Sequence, residues 1–211
     1  VLLEAQPRRP RQVSAGRPAP VAMFDDRRIL VLIASYRDPE LAGTIADALA
    51  QAAYPEHVRF AICHQVDETT RNQLDRWHDD PRFRVDVVDH TESRGCCWAR
   101  NGTFALYDDE PYILQIDSHM RFAARWDVRY IEMLESTGSE LPVLTSYPPR
   151  YTVRDDGTVD YDTVSGPQRL YVEEVFPDLT TRQKTSPLID LSRPEPSPTL
   201  AAGQLFTRGR F

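Results

Sequence analysis

Tyr112-Ile113-Leu114-Gln115-Ile116-Asp117-Ser118-His119-Met120-Arg121-Phe122 is an apolar run that stops on an acid, a small residue and a histidine. The run has the length and composition of a buried strand. Charged groups are costly inside a sheet, so a strand that ends on them ends at a cleft. Asp117 and His119 are two positions apart. An extended backbone carried through both would turn their side chains to the same face. A carboxylate and an imidazole so placed can share one divalent cation. A solvated turn in which Asp117 caps the next helix is the plain alternative.

Outward from this run the chain alternates strands and helices. Ile29-Leu30-Val31-Leu32-Ile33 is a second buried-strand run, ending in Ala34-Ser35-Tyr36-Arg37-Asp38. Pro39 suits a first helical turn, and Leu41, Ile45, Ala48, Leu49 and Ala52 follow at helical spacing. Val58 to Val66 reads as a strand ending at Asp67, with a polar helix after it to about Trp77. Phe83 to Val88 reads as a strand ending in Asp89-His90, and residues 94–107 as a helix. Trp126, Tyr130, Met133 and Leu134 mark a helix, and Val143 to Tyr147 a fifth strand. Such alternation implies βαβ units and a mostly parallel sheet, whose ligands bind beyond the carboxyl ends of the strands. The polar groups Ser35 to Asp38, Asp67, Asp89 and Asp117 to His119 all fall there.

The chain has 211 residues, 41% hydrophobic and 27% charged, enough for one domain with a core. The net charge is −7, which disfavours non-specific nucleic-acid binding. Lys184 is the only lysine, so the other side-chain bases are arginines, the better forks for phosphate or carboxylate. Genomic base composition is the simpler account of that bias. Cys63, Cys96 and Cys97 make an odd set without CxxC spacing. They fit neither a disulfide framework nor a structural zinc site, and they favour a reducing, cytoplasmic compartment. No apolar run reaches the roughly 18 residues of a membrane span. Residues 1–26 read as a flexible Arg/Pro-rich leader. Residues 27–211 read as one domain, with 148–198 a long excursion over the cleft.

Three segments carry candidate chemistry. Asp117 and His119 leave open coordination positions, which suits Mn²⁺ or Mg²⁺ shared with a diphosphate. In Arg94-Gly95-Cys96-Cys97-Trp98-Ala99-Arg100, Arg94 and Arg100 can face a phosphate near a helix N-terminus, or lie on an ordinary surface helix. In Ser35-Tyr36-Arg37-Asp38, Tyr36 can stack on a base and Arg37 or Asp38 can hydrogen-bond it, while Asp38 also suits an N-cap. Asp67 has the same two readings. A Rossmann GxGxxG, a Walker sequence and a GxSxG elbow do not occur. Cys96 and Cys97 lack an evident histidine partner for nucleophilic catalysis.

The Ile33 to Leu41 segment, the Arg94 to Arg100 segment and Gln115 to Phe122 together resemble the GlcNAc-transferase family. That family is typified by a cytoplasmic hydroxyproline GlcNAc-transferase. The Asp117-Ser118-His119 triplet is also similar to that of the polypeptide GalNAc-transferases. The resemblance implies an α/β GT-A glycosyltransferase fold, a UDP-sugar donor, a divalent metal, and retaining transfer to a hydroxyl acceptor such as a protein side chain. Carried over, Asp117 and His119 match the metal positions. Ser35, Tyr36, Arg37, Asp67, Arg94, Arg100 and Asp117 match the donor site. Ala201 to Phe206 resembles the strand lining the sugar and acceptor side. The family continues with an acidic Gly-Glu-Glu-type segment not present here, so the chain reads as C-terminally truncated, with no general base assigned. Two other readings stay open. One is a non-catalytic nucleotide-sugar module or inactive remnant; the other is a nucleotidyltransferase, which the shortage of lysine disfavours.

Overall fold

The computed structural model describes residues 26–162, 166–188 and 193–209. The expected leader therefore lies outside the described residues, apart from Asp26, which pairs with Arg28 at 2.7 Å. The chain runs β1 (Ile29–Tyr36), α1 (Leu41–Gln51), β2 (Val58–Val66), β3 (Phe83–Asp89), α2 (Cys96–Phe104), β4 (Tyr112–Asp117), α3 (Trp126–Ser136) and β5 (Val143–Thr145). It continues with β6 (Tyr151–Val153), β7 (Val159–Tyr161), β8 (Gln168–Val175), β9 (Thr181–Pro187) and β10 (Gln204–Arg208). Among the described residues six strands form the main sheet in the order β3-β2-β1-β4-β10-β5. The first four are parallel, whereas β10 is antiparallel to both β4 and β5.

Both faces of β1 are covered, which is why its sequence is apolar without alternation. Ile29, Val31 and Ile33 join Phe60, Ile62, Leu114, Ile116 and Phe206 under α1 and α3. Leu30 and Leu32 join Ala61 and Ile113 on the other face, covered by Leu106 and Tyr107 beyond α2. Asp127 ties the start of α3 to the end of α1, accepting from the Ala53 and Tyr54 amides at 2.8 Å each. Trp126 Nε1 adds a bond to the Ala48 carbonyl at 2.8 Å.

Several local expectations fail for identifiable reasons. The polar helix after β2 does not form, and turns lead instead to a single 3₁₀ turn, Asp75–Trp77. Asp67 accepts from the amides of both Thr69 and Thr70 at 3.0 Å, and this local bonding competes with a helix. Asp38 is not the cap of α1; that place falls to Glu40, which makes no side-chain cap bond. The helix expected at 94–107 is the shorter α2, entered through Gly95 at φ 93°, a left-handed conformation natural to glycine. The fifth strand ends at Thr145, and Tyr147 forms only a bridge to Gln168. Among its described residues the 148–198 excursion contains two hairpins, β6–β7 and β8–β9. Cys63 is buried, Cys96 and Cys97 are exposed, and all three are free. No helix among the described residues is long and apolar enough to cross a membrane.

Candidate functional site

β2 and β3 lie on one side of β1 and β4 on the other, so the connections diverge between β1 and β4. That divergence opens a crevice at the carboxyl ends of the two strands, the place where such sheets bind ligands. Asp117 ends β4, and its side chain accepts from Arg100 Nη2 of α2 at 2.9 Å. Its amide donates to the Gly203 carbonyl at 3.1 Å, which draws the segment before β10 against it. A Cβ on Gly203 would lie 2.5 Å from Asp117 Oδ2, so only glycine leaves room for this carboxylate.

The pleat does not continue past Asp117 as the two-residue spacing suggested. The strand ends there and the chain bends at Ser118, and His119 reaches Asp38. His119 Nδ1 is 2.8 Å from Asp38 Oδ2, which also accepts from Ser118 Oγ at 2.5 Å. This contact, with added pull from Asp117 and Glu40, raises the His119 pKa. Burial works against the Asp38 charge, but the bonds from His119 and Ser118 outweigh it and hold the carboxyl at about 2. No group of three or more His, Cys, Asp or Glu able to hold a metal occurs among the described residues.

The remaining candidates fall along the β1 and β2 ends. Tyr36 is half exposed, its ring edge-on to His90 with centroids 6.4 Å apart. Arg37 has φ 49°; its amide donates to the Gln65 carbonyl at 2.9 Å and its Nε to Asp67 Oδ2 at 2.7 Å. Bonds from Thr69 and then Arg37 hold the Asp67 carboxyl well below the usual carboxylate range. Ser35 is fully buried and its hydroxyl has no partner among the described residues, so its side chain lies beneath this edge rather than on it. Arg94 is exposed just before α2.

The site also uses residues to which the sequence reading gave no role. Thr44, fully buried in α1, donates to the Ser118 carbonyl at 2.7 Å and accepts from the Met120 amide at 2.9 Å. Asp47 accepts from the Phe122 amide at 2.6 Å, and Glu40 pairs with Arg121. Tyr151 of β6 lies under the Arg121 guanidinium, 4.6 Å from ring centroid to Cζ. The available signal was a threonine within the buried Leu41, Ile45, Ala48 stripe, where an apolar residue fits unless a partner is near.

A family model described as "Glycosyltransferase (GlcNAc)" matches residues 28–80 and 73–211. The sequence matches no protein of curated function. Among solved structures the chain is similar to GalNAc-T7 with UDP, GalNAc and Mn²⁺, at 15% identity and TM-score 0.62. That match covers 86% of this chain and 34% of the other, and shows a shared GT-A fold. A weaker likeness, TM-score 0.46 and 11% identity, is to S. aureus TarS 1-349 in complex with UDP-GlcNAc, over 56% of this chain and 33% of that one. The PcManGT mannosyltransferase from Pyrobaculum calidifontis, with GDP-Man and Mn²⁺, gives TM-score 0.42 at 18% identity, over 61% and 36%. The chain thus spans about a third of the length of these structures.

Proposed function

The chain belongs to the GlcNAc glycosyltransferase family, and from that premise we propose that it transfers a sugar, GlcNAc, from a UDP donor to a hydroxyl acceptor with the help of Mn²⁺ or Mg²⁺. The observation that carries this reading is the convergence of Asp117, His119 and Arg100 on the crevice between β1 and β4. Asp117 and His119 would hold the cation. The donor set fits: it offers a carboxylate oxygen and an imidazole, without thiolate. Asp117 acts on His119 electrostatically, and the missing Cβ at Gly203 leaves space at Asp117 Oδ2. When bound, the cation would neutralise the diphosphate as it takes up charge on leaving.

The rest follows from the chain's own groups. The Tyr36 ring offers a stacking face for the base, and the Arg37–Asp67 pair presents a fixed donor and acceptor beside it. Ser35 supports that edge from below. Arg100 already faces the crevice, and Arg94 stands exposed at the head of the same helix. In this reading both bind a departing diphosphate more strongly than the intact donor, which lowers the barrier. In the retaining course that the family implies, the acceptor hydroxyl attacks on the side the diphosphate leaves. The acceptor is a protein hydroxyl in this reading, and the free cysteines accord with a cytoplasmic setting.

The test is calorimetry of UDP with and without Mn²⁺, on wild type and Asp117→Ala. Metal-dependent binding in wild type that Asp117→Ala abolishes supports the assignment. Equal, metal-independent binding in both proteins removes it.

A further inference from the structure

The loop after β4 is held at every residue by the segment that leads from β1 into α1. Asp38 takes Ser118 and His119, Thr44 takes the Ser118 carbonyl and the Met120 amide, Glu40 takes Arg121, and Asp47 takes the Phe122 amide. These contacts hold the His119 side chain against Asp38. Its own side chain is 60% exposed, whereas Asp38 beneath it is only 15% exposed. Asp38 is itself fixed from a third direction, because its Oδ1 accepts from the Glu40 amide at 2.9 Å.

The chemistry of this contact decides which imidazole atom is available. An ionised carboxylate can only accept, so the His119 nitrogen 2.8 Å from Asp38 Oδ2 must carry a proton. That nitrogen is Nδ1. In the neutral ring the lone pair then sits on Nε2, and the bond to Asp38 fixes the plane of the ring. A carboxylate behind a histidine is the general means of orienting an imidazole toward a cation and raising its basicity.

We infer that Asp38 is a positioning residue, which sets His119 as the Nδ1–H tautomer so that Nε2 is the atom offered to the divalent cation. This inference rests on the metal-dependent reading of the site. It adds a second role for the segment after β1, whose Arg37 serves the nucleotide edge while the next residue serves the metal edge. Two adjacent side chains thus bridge the end of β1 to that of β2 on one side and to that of β4 on the other.

The test uses the ¹⁵N-labelled chain and long-range proton–nitrogen NMR of its histidines above pH 8 without metal, with the His119 signals assigned by His119→Gln. Wild type is expected to show the Nδ1–H tautomer, and Asp38→Ala to move toward Nε2–H. Mn²⁺ affinity in the presence of UDP, read by electron paramagnetic resonance, is expected to fall about 10–100-fold in Asp38→Ala. Asp38→Asn preserves the shape and one acceptor oxygen, and is expected to fall between the two; it replaces Asp38→Ala if that variant does not fold. An Nε2–H tautomer in wild type overturns the inference, as does unchanged Mn²⁺ affinity in a folded Asp38 variant. Failure of wild type to bind Mn²⁺ at all instead refutes the metal-dependent reading, and the wild-type tautomer tells the two failures apart.

Discussion

Replacing Gly203 by alanine adds a single carbon, and the space it needs is taken by Asp117. The new Cβ would lie 2.5 Å from Asp117 Oδ2 and 3.3 Å from its Cγ. The same replacement at Gly209 drives a Cβ into the Glu110 carbonyl oxygen and to 3.0 Å from the Tyr107 ring. The two clashes differ in what can yield. Asp117 can swing its carboxylate aside, at about 0.5–1.5 kcal/mol for the displaced rotamer. It also loses alignment with Arg100, a partly exposed pair worth about 0–1 kcal/mol. Gly203→Ala should thus cost about 1–2 kcal/mol. The Glu110 carbonyl is backbone and cannot yield alone, so Gly209→Ala should cost about 3 kcal/mol, the upper end of overpacking. For a protein of this size those values lower Tm by about 2–8 °C and 6–12 °C respectively. Binding should order the other way. Gly203→Ala misplaces the carboxylate proposed to hold Mn²⁺ and should weaken UDP-dependent Mn²⁺ binding at least about tenfold. Gly209→Ala should leave the binding of its folded fraction unchanged. Calorimetric scanning and Mn²⁺ titration of both variants decide the matter. A Gly203→Ala protein that melts below Gly209→Ala while binding Mn²⁺ like wild type would refute the reasoning.

His64 is buried with Nε2 unpartnered; burial lowers its pKa, and the nearby Gln73 opposes this only in part. A lowered histidine pKa favours the neutral form in the fold, so this stability is present above about pH 6.5 and is lost as pH falls below it, by up to about 1.4 kcal/mol per pH unit. Urea unfolding of wild type and His64→Gln between pH 7.5 and 5.5 should show the gap between them narrowing with acid, and a pH-independent gap would sink this account. Asp127→Ala leaves the Ala53 and Tyr54 amides without their acceptor and should cost about 2–3 kcal/mol in the urea midpoint, with Asp127→Asn losing less. Equal loss in the two variants would mean that packing, not the amide bonds, makes the contribution.

Where an element's identity depends on its own side chains, the sequence was a good guide. The Tyr112 to Asp117 strand appears with the bounds read from its apolar run, and α1 buries Leu41, Ile45 and Ala48 of the expected stripe. The polar stretch after Asp67 misled because its hydroxyls and carboxylate bond the backbone locally, which a helical reading does not count. Within 148–198 the strands Val159–Tyr161 and Thr181–Pro187 carry little apolar alternation, so the sequence does not mark them as strands.

The candidate site divides in the same way. A parallel α/β sheet with acids and a histidine at its strand ends is legible in the chain of residues, because burial on both faces and the cost of buried charge are local constraints. The folded sheet, in contrast, sets β4 beside β1, bringing Asp38 to His119 across 81 residues and Arg100 to Asp117 across 17. It also returns β10 antiparallel and sets Gly203 against Asp117. Those meetings depend on strand order and chain direction, which arise from packing the whole sheet rather than from any one segment. Asp117 and His119 were therefore legible as strand-end polar residues, while the contacts that aim them were not.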